Sequence, residues 1–291
     1  MAKNILLTGA NGQLGSEIRK LSADYPQFSF FPTDVDTLDI CNKREIEKFL
    51  QSKAIDFIIN CAAYTAVDKA ENDAKLCYAI NRDAVRNLAE AARDKAKIIH
   101  VSTDYVFDGQ GNRPLKETGA VNPQSVYGAS KLAGEEALQS ICPDCAIIIR
   151  TAWLYSAFGN NFVKTMLRLG RERESLNVVS DQFGTPTYAA DLASAILKIM
   201  VWTEKNNAFP AGIYHYTDEG VCSWYDFTLK IHELAGISGC KVNPVPTSGY
   251  PTAAKRPQYS VLDKTKIKQT FDLAIPRWEE SLERCIDIIE Q

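Results

Sequence analysis

Through the first two thirds of the chain, short unbroken apolar runs alternate with stretches whose apolar positions recur every three or four residues. The runs, such as "FIIN", "IIHVS" and "AIIIRTAW", show no period-two alternation. Strands of that kind are buried on both faces, as in a parallel sheet covered by helices. The pattern predicts strands at 4–8, 28–33, 56–61, 97–103, 146–153 and 176–180. Between them the helical period predicts helices at 14–22, 43–51, 74–95 and 129–140. Alternating β and α segments call for a Rossmann-type α/β fold, a doubly wound parallel sheet with its ligand crevice at the carboxyl ends of the strands.

The pattern loosens near residue 160. Helices are expected at 162–173, 191–203, 224–235 and 278–289, separated by Pro-rich loops. The division expected is a first domain over 1–160, to which some later segments return, and a smaller interleaved C-terminal lobe over 161–291. A chain of 291 residues with a net charge of −3 gives no electrostatic reason to expect nucleic acid or a membrane surface as partner. Its apolar runs fall short of the roughly 20 residues a membrane span needs, and nothing at the start resembles an export signal. A cytoplasmic protein is expected. Of the 8 cysteines, Cys41, Cys61, Cys77, Cys222, Cys240 and Cys285 read as small core residues. Cys142 and Cys145 form a lone C-x-x-C without the second ligand pair that zinc needs, and are expected to be reduced.

Chemistry enters with Gly9-Ala-Asn-Gly12-Gln-Leu-Gly15, placed between the first strand and the first helix. Gly9 permits a tight turn, Gly12 lets the backbone approach a pyrophosphate, and Gly15 allows close helix packing. The helix N-terminus beyond offers N–H groups and a positive dipole to the phosphates. Asp34, at the end of the second strand, either accepts from an adenosine ribose hydroxyl, which favours NADH over NADPH, or is a solvated turn residue. Tyr127-x-x-x-Lys131 sets a phenol and an ammonium on one helix face. A neighbouring Lys⁺ lowers a phenol's pKa from near 10 and suits it to proton exchange. Thr103, closing the fourth strand, adds a hydroxyl able to orient a reacting oxygen.

The stretches "LTGANGQLG", "NCAAYTAVDKAE", "VSTDYVFDG", "NPQSVYGASKLAGE", "RTAWLY", "NNFVKTM", "DQFGTPT" and "YPTAAKRPQYSVLD" carry a resemblance to the extended short-chain dehydrogenase/reductases over nearly the whole chain. The resemblance implies hydride transfer from NADH or NADPH to C4 of dTDP-4-dehydro-6-deoxy-L-mannose, giving dTDP-L-rhamnose, with 1–160 as the dinucleotide-binding domain and 161–291 mainly the nucleotide-sugar lobe. By the same likeness Tyr127 supplies the proton, Lys131 also holds the nicotinamide ribose, and Thr103 completes the catalytic set. Gly9, Asn11, Gly12, Gln13, Leu14, Gly15, Asp34, Asp39, Ile40, Cys61, Ala62, Ala63 and Tyr64 are implied to line the cofactor. Thr65, Val67, Asp104, Tyr105, Trp153 and Arg256 are implied around the dTDP-deoxysugar, with Arg256 either pairing with its phosphates or lying on the surface. Asn81 is expected near the catalytic strand and Asp191 in a structural role.

Some members are dimers bridged by magnesium through glutamates. Glu17 matches one such position, but Ala190 stands at the second, with Asp191 a residue away and Glu290 as the remaining candidate. No bridging magnesium is expected, and the chain should be a monomer or weak homodimer. Two rival functions remain: a nucleotide-sugar epimerase or dehydratase on the same fold, and a non-catalytic dinucleotide-binding regulatory subunit. Dehydratases carry Asp-Glu after the threonine, where this chain has Asp104-Tyr105 and so lacks the base.

Overall fold

A computed structural model describes residues 2–291. Six parallel strands form the central sheet: β1 (Lys3–Thr8), β2 (Phe28–Thr33), β3 (Phe57–Asn60), β4 (Lys97–Thr103), β5 (Ala146–Thr151) and a late strand, Gly212–His215. Across the sheet the order is β2, β1, β3, β4, β5, Gly212–His215. The winding reverses between β1 and β3, and a crevice opens at such a reversal beyond the carboxyl ends of the strands. All four residues of β3 and all six of β5 are buried, which explains their unbroken apolar runs.

Helices cover both faces. Helix α1 (Gln13–Leu21) and helix Ala189–Asn206 enclose one core with Ile5, Leu7, Ile59, Ile99, Ile147 and Ile149. Helices α2 (Lys43–Ser52), Ala84–Ala92 and Val126–Ile141 enclose the other with Leu6, Ile58, Ile98 and Ile148. Successive residues of one strand thus feed opposite cores. At about 1.5–3 kcal/mol per buried aliphatic side chain, this double burial is the main force holding the sheet.

A third core, including Tyr155, Leu167, Phe227, Trp278 and Leu282, lies under the C-terminal elements. The strand expected at 176–180 forms (Ser175–Val179), but it pairs with Lys241–Val245 in a separate two-stranded sheet. The single helix expected over 74–95 is instead Ala74–Tyr78, a π-helical segment Ala79–Asp83, and Ala84–Ala92. All eight cysteines are free thiols. Two of the six read as core residues are not core: Cys41 is exposed and Cys61 half-buried. Each follows an apolar run but sits past the strand or turn that the run builds. No described helix is long and apolar enough to cross a membrane.

Candidate active site

The carboxyl ends of β1, β3 and β4 open onto a cleft of about 1430 Å³. That exceeds the roughly 300–1,000 Å³ of a typical small-ligand site and leaves room for two nucleotides end to end. Gly9 turns the chain at φ +64, and a Cβ there would stand 2.7 Å from the Ala62 nitrogen. Its lack of a side chain lets the β1 turn lie against the end of β3. Asn11, Gly12, Gln13, Leu14 and Gly15 continue along the wall, followed by Asp34, Asp39, Ile40, Cys61, Ala62 and Ala63. Tyr64 alone among the residues expected at the cofactor does not line the cleft; its hydroxyl donates to Asp73 at 3.3 Å.

Asp34 follows β2 and accepts from the Asn11 N–H at 3.0 Å and its neighbour Val35 N–H at 2.9 Å. Arg19 donates to the Asn11 side chain at 3.1 Å, so a guanidinium from α1 reaches the same corner. It escapes sequence reading because it comes from the helix rather than the strand end. We predict that Asp34→Asn raises the NADPH-to-NADH ratio of kcat/KM about tenfold, since removing a carboxylate from beside a 2′-phosphate is worth on the order of 1–2 kcal/mol. An unchanged ratio in parallel assays would refute this.

Farther along, Ser125 caps helix Val126–Ile141 by accepting from the Gly128 N–H at 3.1 Å. This places Tyr127 in the first turn and Lys131 one turn later. Gly128 lies against the Tyr105 carbonyl with no space for a Cβ, so the helix packs tightly on the segment following β4. Thr103, Tyr127 and Lys131 line one wall of the cleft, Thr103 and Lys131 buried and Tyr127 half-buried at its edge. Contrary to the expectation that Lys131 lowers it, the Tyr127 phenol is pushed up, because burial outweighs the lowering effect of the Thr103 hydroxyl. Burial pushes Lys131 down to about 8, against the pull of Glu135, Cys61 and Cys77. Asp104 is raised to about 6 by burial, with Thr103 donating to it at 3.0 Å.

Tyr105 packs edge-on to Tyr127 at 5.4 Å, and burial raises its phenol to about 12. Arg256 donates to the Tyr105 hydroxyl at 2.9 Å and pairs with Asp68. Asp68 also accepts from the Ala254 N–H at 3.0 Å. Asp68 was not anticipated from sequence; it ties the loop bearing Arg256 to the edge of the cleft. Thr65, Val67, Asp104 and Trp153 line the same region. Trp153 has φ +50, rare for a bulky residue, and stacks on Trp224 at 3.5 Å.

With this geometry in view, the comparisons are consistent. The family profile described as "RmlD substrate binding domain" matches residues 3–291. The chain belongs to that family. A protein of Aggregatibacter actinomycetemcomitans named dTDP-4-dehydrorhamnose reductase is 44% identical over 96% of each chain. A solved structure of that name from Clostridium acetobutylicum has TM-score 0.92 and 46% identity, covering 99% of this chain and 100% of that one. Another, from Bacillus anthracis in complex with NADP, has TM-score 0.92 and 40% identity, covering 99% and 100%.

For this family member, the carboxylates expected around a bridging metal are otherwise engaged. Glu17 is buried and accepts from Ser156 at 2.6 Å, and burial raises its carboxyl. Asp191 is held by Ser281 and Arg284, each at 2.6 Å, and Glu290 pairs with Arg171. The set does not fit a bridging magnesium: one carboxylate faces inward and the other two already face cations. Asn81, in the π-helical segment, binds the Tyr64 backbone and donates to Ser130 of helix Val126–Ile141 at 3.0 Å.

Proposed function

We propose that the chain reduces the C4 ketone of dTDP-4-dehydro-6-deoxy-L-mannose to dTDP-L-rhamnose, using NADH or NADPH. The observation carrying this reading is the convergence of Thr103, Tyr127 and Lys131 on one wall of a cleft whose other end is the glycine-rich turn. A reduced nicotinamide dinucleotide, held by Gly9 to Gly15, Asp34, Asp39, Ile40 and Cys61 to Ala63, supplies the hydride. Tyr127, protonated at neutral pH because burial raises its phenol, donates its proton to the nascent alkoxide. Thr103 hydrogen-bonds the reacting oxygen and fixes its direction. Lys131 holds the nicotinamide ribose and supports the phenolate left after donation. Thr65, Val67, Asp104, Tyr105 and Trp153 surround the sugar, and Arg256 faces the phosphates by exchanging its partners Asp68 and Tyr105.

Two features separate this reading from its rivals. Tyr105, with a phenol near 12, cannot serve as the base an elimination needs, which disfavours a dehydratase. A purely regulatory subunit has no need of a phenol, a hydroxyl and a buried lysine facing one cleft. Asp34 favours NADH, while Arg19 gives a 2′-phosphate a partner and so admits NADPH. Engagement of Glu17, Asp191 and Glu290 within the chain supports a monomer or weak homodimer without a metal bridge. The net charge of −3 gives no reason to add a nucleic-acid or membrane partner to this reading, which places the reaction in the cytoplasm.

The deciding experiment incubates the protein with dTDP-4-dehydrorhamnose and each reduced cofactor. Stoichiometric cofactor oxidation with formation of dTDP-L-rhamnose is expected. Isomerised or dehydrated sugar without net cofactor oxidation would sink the reading.

A further inference from the structure

Behind the catalytic wall a buried polar chain runs from β1 to Lys131. The Thr8 hydroxyl donates to Asn60 Oδ1 at 2.6 Å, and the Ala62 N–H donates to the same oxygen at 3.2 Å. A backbone N–H can only donate, so that atom is the amide oxygen, and Asn60 Nδ2 is the group facing His100 Nδ1 at 2.9 Å. Because Nδ2 is also only a donor, Nδ1 must accept, and the proton of a neutral His100 must sit on Nε2. His100 is 0% exposed, and burial together with Lys131 holds it neutral, far below the usual imidazole value. Its Nε2 lies 3.4 Å from Lys131 Nζ, which itself donates to the Val101 carbonyl at 2.7 Å. Lys131 therefore has an N–H donor aimed at it, and a hydrogen bond across that contact needs a lone pair on Nζ.

We propose that His100 is a positioning residue for the reduction: locked by Asn60 as the Nε2–H imidazole, it hydrogen-bonds the neutral amine of Lys131 and so favours release of that lysine's proton. The role in turnover rests on the reductase reading above; the locked tautomer does not. In the cycle, the hydride arriving at C4 makes an alkoxide, which takes the Tyr127 proton. The phenolate then recovers a proton from the Lys131 ammonium, and the amine left behind accepts from His100 Nε2–H until solvent reprotonates it. His100 loses no proton at any point.

The groups around Lys131 are few. His100 and the Val101 carbonyl come from β4, Cys61 from the segment after β3, Cys77 from helix Ala74–Tyr78, and Tyr127 and Glu135 from its own helix. Glu135 favours the ammonium, while burial favours the amine and leaves Lys131 near 8.

Two measurements test this. Nitrogen NMR of the unaltered protein with isotopically labelled histidine has only 3 histidines to assign. His100 is expected as the Nε2–H tautomer from mildly acidic to mildly alkaline pH; an Nδ1–H tautomer or an imidazolium would overturn the proposal. The second compares Lys131 titration, read from its side-chain carbon signal without substrate and assigned by its loss in Lys131→Met, between the unaltered protein and His100→Leu. The midpoint should rise by about one unit in the variant, and in the reductase assay the alkaline limb of kcat should follow it upward with kcat falling about tenfold. A midpoint that stays or falls refutes the proposal. A risen midpoint in a protein that reduces no sugar refutes only the reductase reading. If His100→Leu fails to fold, the tautomer decides alone.

Discussion

Tyr127→Phe is expected to lower kcat for ketone reduction by about a hundred- to ten-thousand-fold, the range that a positioned general acid supplies. The ring stays, so its edge-on contact with Tyr105 at 5.4 Å and the local packing should survive. What disappears is the proton. Hydride arrival at C4 would then create an alkoxide in a site where the remaining donors are Thr103, whose hydroxyl donates to Asp104 at 3.0 Å, and Lys131. Binding of the reduced cofactor, read by its fluorescence, should stay within a few-fold, because the glycine-rich turn and Asp34 are untouched. Full activity in the variant would remove Tyr127 from the mechanism. Lost cofactor binding would mean that the substitution had disturbed the fold, and single-turnover rates at saturating cofactor separate the two. Since burial raises the Tyr127 phenol, its own ionisation should set no limb in the neutral range. The alkaline limb should fall near the Lys131 value of about 8, where the ammonium that restores the phenol is lost as pH rises.

Much of the frame was legible because β3 and β5 are buried on both faces and leave unbroken apolar runs that only a covered parallel sheet produces. The glycine-rich turn and the Tyr127/Lys131 pair were legible because both depend on spacing within one segment. What escaped depends on pairing between distant segments. Gly212–His215 is four residues long and contains a glycine and a histidine, yet it enters the central sheet through the register Ile213 to Ile148. Strand Ser175–Val179 was visible, but its partner Lys241–Val245 lies too far along the chain for a local pattern to reveal. The π-helical segment interrupts a periodicity that reads as continuous helix, and it carries Asn81 toward Ser130. Arg19, Asp68 and His100 follow the same rule. Each looks ordinary in its own segment and gains meaning from an atom brought near by the fold: Asn11, Arg256 and Lys131 respectively.

Glu135→Gln is expected to destabilise the fold by about 3–5 kcal/mol, the cost of leaving one member of a buried ion pair without its partner. Arg150 donates through Nε to Glu135 Oε1 at 3.0 Å and through Nη2 to Oε2 at 2.6 Å, and Ser102 donates to Oε1 at 2.5 Å. Both side chains are sealed from solvent, at 2% and 1% exposure, and the guanidinium lies over the Phe107 ring at 5.1 Å. The pair fastens helix Val126–Ile141 to β4 and β5 one turn beyond Lys131 and one residue before Thr103, so it fixes the spacing of the catalytic wall. Thermal unfolding should drop by on the order of 10 °C. The charge left on Arg150, rather than any lost attraction, is the main cost. The double variant Glu135→Leu with Arg150→Met should therefore lose less than the sum of the two single variants. Equal sums would mean that the pair is uncoupled and the argument wrong. A second consequence concerns pH. Glu135 raises Lys131, so removing its charge should move the alkaline limb of kcat to lower pH, opposite to the shift expected for His100→Leu. Opposed shifts from two residues flanking the same ammonium would be hard to obtain from generic loosening of the fold, which would move both limbs the same way.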